Sequence, residues 1–160
     1  MRRKDREIKE KSAQLAILEN SETIRIAFAV HNEPYIVAMS FGFIWESKLA
    51  VYMHCASEGK KLDMMRHNNS VCFQMDTDTL LVVAPLSCRW NLQYSSIIGR
   101  GTLSEVTDED ERLKGLNLIM KNYGKKGRNN FAADILQNTT VLRLDVHEIT
   151  AKQRNDSNTM

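Results

Sequence analysis

The alternation of apolar residues along TIRIAFAVHN and PYIVAMSFGFIW constrains the fold more than any other feature of the chain. Ile24, Ile26, Phe28 and Val30 fall at every second position, which is the spacing of a strand with one buried face. Asn32 and Glu33 supply a turn. The next strand repeats the pattern with Tyr35, Val37, Met39, Phe41 and Phe43, and its reverse carries Ile36, Ala38, Ser40 and Gly42, an unusually small face. KLAVYMHC and SVCFQMD read as third and fourth strands. The tract WNLQYSSIIGRGTLSEVT is extended, and Gly99 and Gly101 within it mark a bulge or sharp bend of the kind that turns a barrel corner. TVLRLDVHEITA sets Leu142, Leu144 and Val146 against Arg143, Asp145 and His147 as a closing strand.

Helices are few. Residues 6–19 carry Ile8, Leu15 and Leu18 among charges, a weakly amphipathic helix suited to a lid or cap. A brief helix is expected between the third and fourth strands. Residues 108–123 predict a longer one, with Thr107 as cap, acidic residues in the first turn, Leu113, Leu116, Met120 and Tyr123 on one face, and Gly124 as its stop. A helical turn is expected near FAADIL. Hairpin-joined strands with flanking helices describe a mainly β, α+β fold closed as an antiparallel barrel.

Composition narrows the class of function. The chain has 160 residues with 42% hydrophobic content, enough for one core, expected over residues 1–149 with an N-terminal helix in 1–20 and a disordered polar tail over 150–160. A formal net charge of +2 does not provide the many cations of a nucleic-acid binder. No apolar run approaches the roughly 20 residues of a membrane span, and the N-terminus lacks a secretory signal's apolar centre, so a cytoplasmic protein is expected. Cys55, Cys72 and Cys88 lie in apolar runs as reduced thiols, and His31, His54, His67 and His147 are scattered, which excludes metal-ligand spacing. Neither GxGxxG nor GxxxxGKS occurs.

The stretch YMHCASEGKKL is harder to explain as structure alone. If the third strand ends near His54, Ser57 stands at the N-cap of a helix, with Glu58, Gly59 and Lys60 in its first turn. Free N–H groups and the helix dipole favour an anion there, and lysines placed against that dipole are easiest to explain when a phosphate offsets them. Two readings stay open, a phosphate site or an ordinary cap beside solvated lysines. His54 is equally open as a structural strand-end residue.

Taken in order, PYIVAMSFGF, LAVYMHCASEGKKLDMMRHN, VCF, CRWNLQYSSIIGRGTLSEV and ERLKGLNLIMKNYG resemble the pyridoxamine 5′-phosphate oxidase-like superfamily, and within it the nitroimidazole-resistance (Nim-type) branch. The resemblance implies a six-stranded split β-barrel, dimerised with a second copy, with FMN in clefts at the interface. It implies that Ser57, Lys60 and Lys61, with the backbone of His54, Cys55 and Ala56, meet the phosphate. The flavin ring would lie along Val37, Ala38, Met39, Ser40 and Phe41, where Ala38 and Ser40 are small enough to admit it. Trp90, Tyr94, Ser95 and Ser96 would come from the partner subunit, although Trp90 and Tyr94 read equally well as packing residues. The arginine-bearing strand and basic C-terminal segment of the biosynthetic oxidases are not seen. What is implied is therefore an FMN-dependent oxidoreductase, with NAD(P)H or another donor and a small planar acceptor such as a nitroaromatic, and with His54 nearest the acceptor. The alternative is a flavin- or haem-binding barrel without turnover.

Overall fold

The protein is described by a computed structural model that covers residues 3–154. Its strands are β1 (Glu7–Ile8), β2 (Ile24–Val30), β3 (Glu33–Met39), β4 (Phe41–Trp45), β5 (Leu49–Ala56), β6 (Ser70–Val82), β7 (Asn91–Glu105) and β8 (Thr139–Arg154). The helices are α1 (Lys11–Asn20), α2 (Lys60–His67), α3 (Glu109–Asn122) and α4 (Ala133–Gln137). All pairings are antiparallel, in the order β3-β2-β6-β7-β8-β5-β4, with β1 added to β8.

The two ends of that order are one stretch of chain. β3 pairs with β2 at one edge and β4 with β5 at the other, and only Ser40 separates them, so the bend at Ser40 closes the sheet into a barrel. Counted as one bent strand, β3 and β4 leave the six strands expected, with the short β1 as an addition. The turn from β2 to β3 has two residues, His31 and Asn32, at φ of 50° and 63°. Both lie in the left-handed region, which matches the twist of a tight hairpin.

Inward-facing Ile26, Phe28, Phe41, Val51, Met53, Phe73, Met75, Ile97, Leu142 and Leu144 fill the interior. Helix α1 adds Ile17 and Leu18 to this core, and α2 adds Leu62, Met64 and Met65. A second cluster lies outside the barrel wall, where Ala50, Tyr52 and Val141 meet Leu116 and Ile119 of α3. Gly42 permits that contact, because a Cβ there would stand 2.2 Å from the Leu118 carbonyl carbon. β2, β3, β6 and β7 together present an open, outward face. Ala38, Arg25, Gln74 and Ile98 lie in one row across it, and Ile36, Ala27, Cys72 and Arg100 in the next.

Several boundaries differ from expectation. The N-terminal helix begins at Lys11 rather than residue 6, since Glu7 and Ile8 pair with Lys152 and Ala151. The fourth strand runs on to Val82 past an irregularity at Asp78, whose φ is 57°. The closing strand continues beyond residue 149 to Arg154, because β7 offers it partners up to Tyr94; the rest of the expected tail lies outside the described residues. Helix α3 is capped not by Thr107 but by Asp108, whose Oδ1 accepts the Glu111 N–H at 2.8 Å. The expected bulge is present, as a register shift at Arg100 and Gly101. Cys55, Cys72 and Cys88 are free thiols, but Cys88 is exposed on a 3₁₀ turn rather than in a strand. No helix is long and apolar enough to cross a membrane among the described residues.

Candidate functional site

The sequence YMHCASEGKKL leaves the barrel at the end of β5 and enters α2. The entry differs from expectation: the N-cap is Gly59, at φ 129° and ψ 165°, and no side chain caps the helix. This backbone region is open chiefly to glycine, so Ser57 and Glu58 fall before the cap, and Lys60 and Lys61 become the first two helical residues. The N–H groups of Leu62 and Asp63 both turn back to the Gly59 carbonyl, at 2.9 and 3.2 Å. Those of Lys60 and Lys61 have no acceptor among the described residues and point out of the helix.

The two lysine side chains flank this opening on opposite sides. The Lys60 ammonium lies 2.5 Å from Glu33 Oε1 and 5.1 Å from the centre of the Tyr35 ring, tying α2 to the start of β3. This contact holds the Glu33 carboxyl below its usual range. Lys61 is half-buried, and its field reaches the Cys55 thiol on β5, which burial pushes up. A dianion placed between the lysines would find two backbone donors and two ammonium groups, with no Cβ at Gly59 to obstruct it. The residues present therefore fit a phosphate.

The structure sorts the other expected residues. On β3, Ala38 is exposed on the open face and Ser40 lies at the bend, whereas Val37, Met39 and Phe41 turn inward. A ring laid against this strand would meet small side chains and backbone, not those three inward groups. His54 projects outward from β5, is exposed, and makes no side-chain hydrogen bond or ion pair among the described residues. Cys55 turns toward the core and Ala56 outward, and Ser57 is exposed in the bend before Gly59.

Trp90, Tyr94, Ser95 and Ser96 are not brought to α2 within one chain. β6 starts at Ser70, next to α2, and passes Thr77, whose hydroxyl donates to the Asn20 carbonyl of α1 at 2.9 Å. Ser95 pairs with Thr77, so these residues stand at the far end of the barrel, about 20 Å along the strand. Trp90 is 53% exposed, and its Nε1 donates to the Ala84 carbonyl at 2.7 Å. Ser95 and Ser96 are buried, and the Ser96 hydroxyl has no partner. Sequence reading missed Glu33 and Tyr35, the contacts of Lys60, because they lie 27 and 25 positions away and nothing local pairs them with α2.

The sequence profile of the family described as pyridoxamine 5′-phosphate oxidase matches residues 10–153. No curated protein matches the sequence. Among solved structures, a candidate 5-nitroimidazole antibiotic resistance protein from Bacteroides thetaiotaomicron is 26% identical with a TM-score of 0.78, covering 92% of this chain and 86% of its own. A flavocytochrome from Azotobacter vinelandii is 20% identical with a TM-score of 0.77, covering 97% of this chain and 72% of its own. An FAD- and haem-binding protein from Mycobacterium smegmatis is 15% identical with a TM-score of 0.78, covering 94% of this chain and 74% of its own. The last two likenesses concern the split-barrel fold alone.

Proposed function

The chain belongs to the pyridoxamine 5′-phosphate oxidase family of split barrels, and from that membership we propose that it is an FMN-dependent oxidoreductase of the nitroimidazole-resistance branch, reducing small planar acceptors such as nitroaromatics. The observation that supports the reading is the entrance to α2, where the N–H groups of Lys60 and Lys61 have no acceptor among the described residues and the two lysine side chains flank the opening. Bound FMN would supply the electron transfer between a reduced nicotinamide and the acceptor. The chain's own groups hold and orient. On this reading Lys60, Lys61 and the turn through Ser57 and Gly59 would hold the phosphate, Ala38 and Ser40 would leave room for a flat ring, and His54 would be the residue nearest the acceptor.

Because Tyr94 and Ser96 stand far from α2 in the same chain, a complete site on this reading needs a second copy, whose Trp90, Tyr94, Ser95 and Ser96 would approach the ring. The exposed apolar residues Leu80, Leu81, Val83 and Leu86 on the hairpin between β6 and β7 support such pairing.

The test is a spectrum. Purified protein should be yellow, bleach on addition of NAD(P)H and regain colour when a nitroimidazole is added. Protein that takes up no FMN in a fluorescence titration would refute the assignment. A flavin that is bound but never bleached, or a Soret band, would instead support the rival reading of a flavin- or haem-holding barrel without turnover.

A further inference from the structure

The barrel splits where β3 becomes β4. The ladder between β2 and β3 ends at Ile24 and Met39, and the ladder between β4 and β5 begins at Phe41 and Met53. If the first ladder ran two positions further, Glu22 would stand opposite Phe41, close enough for their backbones to bond directly. Instead the Tyr123 hydroxyl lies between them. It accepts the Phe41 N–H at 3.3 Å and donates to the Glu22 carbonyl at 2.6 Å. Phe41 is fully buried, so its N–H has no water to turn to, and the phenol supplies the acceptor.

The end of α3 is built to deliver that oxygen. The Gly124 N–H turns back to the Lys121 carbonyl and the Lys125 N–H to that of Met120, each at 3.0 Å, with Gly124 at φ 78°. This paired closure, which needs a left-handed residue, ends the helix in one geometry and leaves Tyr123 as its C-cap. The contact of Leu118 and Ile119 with Gly42 sets how closely the same helix approaches β4. The Tyr123 ring itself is 47% exposed and belongs to neither packed core, so packing does not account for the side chain.

We infer that Tyr123 is a positioning residue: its hydroxyl clasps the two sides of the split and so sets the bend at Ser40 against which a flavin ring is seated. The seating of the ring rests on the flavin reading, whereas the clasp stands on the two hydrogen bonds alone. Ser40 precedes Phe41 directly, so slack at the Phe41 N–H is slack in the backbone of Ser40. A flat ring lying along a strand depends on support of this kind, because its seat is only as well placed as the backbone beneath it.

The test compares Tyr123→Phe, which keeps the ring and lacks both bonds, with the unaltered protein. Amide exchange at Phe41, which needs no flavin, should quicken about fivefold to tenfold, the equivalent of one hydrogen bond. FMN should bind about threefold to tenfold more weakly, and the visible circular dichroism of the bound flavin, which reports the asymmetry around its ring, should change. Affinity for ribose 5-phosphate, which carries the phosphate end alone, should stay the same, since Lys60 and Lys61 are untouched. A merely structural loss would weaken both ligands alike and leave the dichroism of the bound ring as it was, and that result would overturn the inference. Unchanged or slower exchange at Phe41 would overturn the clasp. Faster exchange with unchanged FMN affinity and dichroism would overturn the seating of the ring while leaving the flavin reading intact. Unaltered protein that binds no FMN would defeat the flavin reading and the seating role with it, and exchange at Phe41 would still decide the clasp.

Discussion

Lys60 and Lys61 are neighbours in sequence, yet their ammonium groups serve opposite sides of the entrance to α2, one bound to Glu33 and the other directed toward β5. Replacing both by alanine removes two charge-assisted contacts to a phosphate, and FMN binding should weaken by between about thirtyfold and about a thousandfold. Fluorescence titration measures this directly, and unchanged affinity would remove both residues from the site. Glu33 gives the finer prediction. Its carboxylate competes with a phosphate for Lys60, so Glu33→Gln should tighten FMN modestly, and weaker binding would mean that Glu33 orients Lys60 rather than competing for it. The pattern of small residues and lysines was legible in the sequence because it is local. The Lys60–Glu33 contact was not, because only the packing of α2 against the β2–β3 turn creates it.

Helix α3 shows how one element is held against the barrel. Glu111 Oε1 accepts from the Tyr52 hydroxyl at 3.0 Å and from Arg143 at 2.5 Å, and Arg143 also reaches Asp145 at 2.8 Å. Burial, reinforced by the bond to Glu111, pushes the Tyr52 phenol up to about 12. The protonated phenol is therefore the form that the fold favours. Its contribution is complete below the ordinary tyrosine value of about 10 and is lost as pH rises toward the folded value, so denaturant stability should fall across that window. Tyr52→Phe should abolish that part of the fall, and at neutral pH cost on the order of 1 kcal/mol for the missing bond. Gly42→Ala should cost more, about 1–3 kcal/mol, because the backbone of α3 at Leu118 occupies the space of the new methyl. Thermal melts rank the two. Sequence periodicity located α3 and the strand beneath it, but not the bend at Ser40, since alternation of large and small residues continues through Met39, Ser40 and Phe41 without interruption. The end of β6 was equally hidden, because Asp78 breaks the register while LLVV beyond it resumes the pairing.

At the scale of the molecule, the hairpin between β6 and β7 exposes Leu80, Leu81, Val83, Leu86, Trp90 and Leu92, each between 42 and 60% exposed. Six large apolar groups on one projection exceed what a solitary domain ordinarily leaves in water, and tryptophan is among the residues most enriched at binding hot spots. The Trp90 indole already donates its N–H internally to Ala84, so the outward part of its ring offers contact surface with no unmet polar demand. The residues expected to reach the flavin from a partner begin at this same hairpin, so assembly and cofactor binding should be coupled. Leu81→Glu with Val83→Glu places two charges in the proposed contact, and the double variant should elute as a monomer on size exclusion and bind FMN at least about tenfold more weakly. Circular dichroism distinguishes this from unfolding, because both positions lie outside the two packed cores. A monomeric variant that retains full FMN affinity would break the coupling and assign the whole flavin site to a single chain, which the separation of Ser96 from α2 argues against.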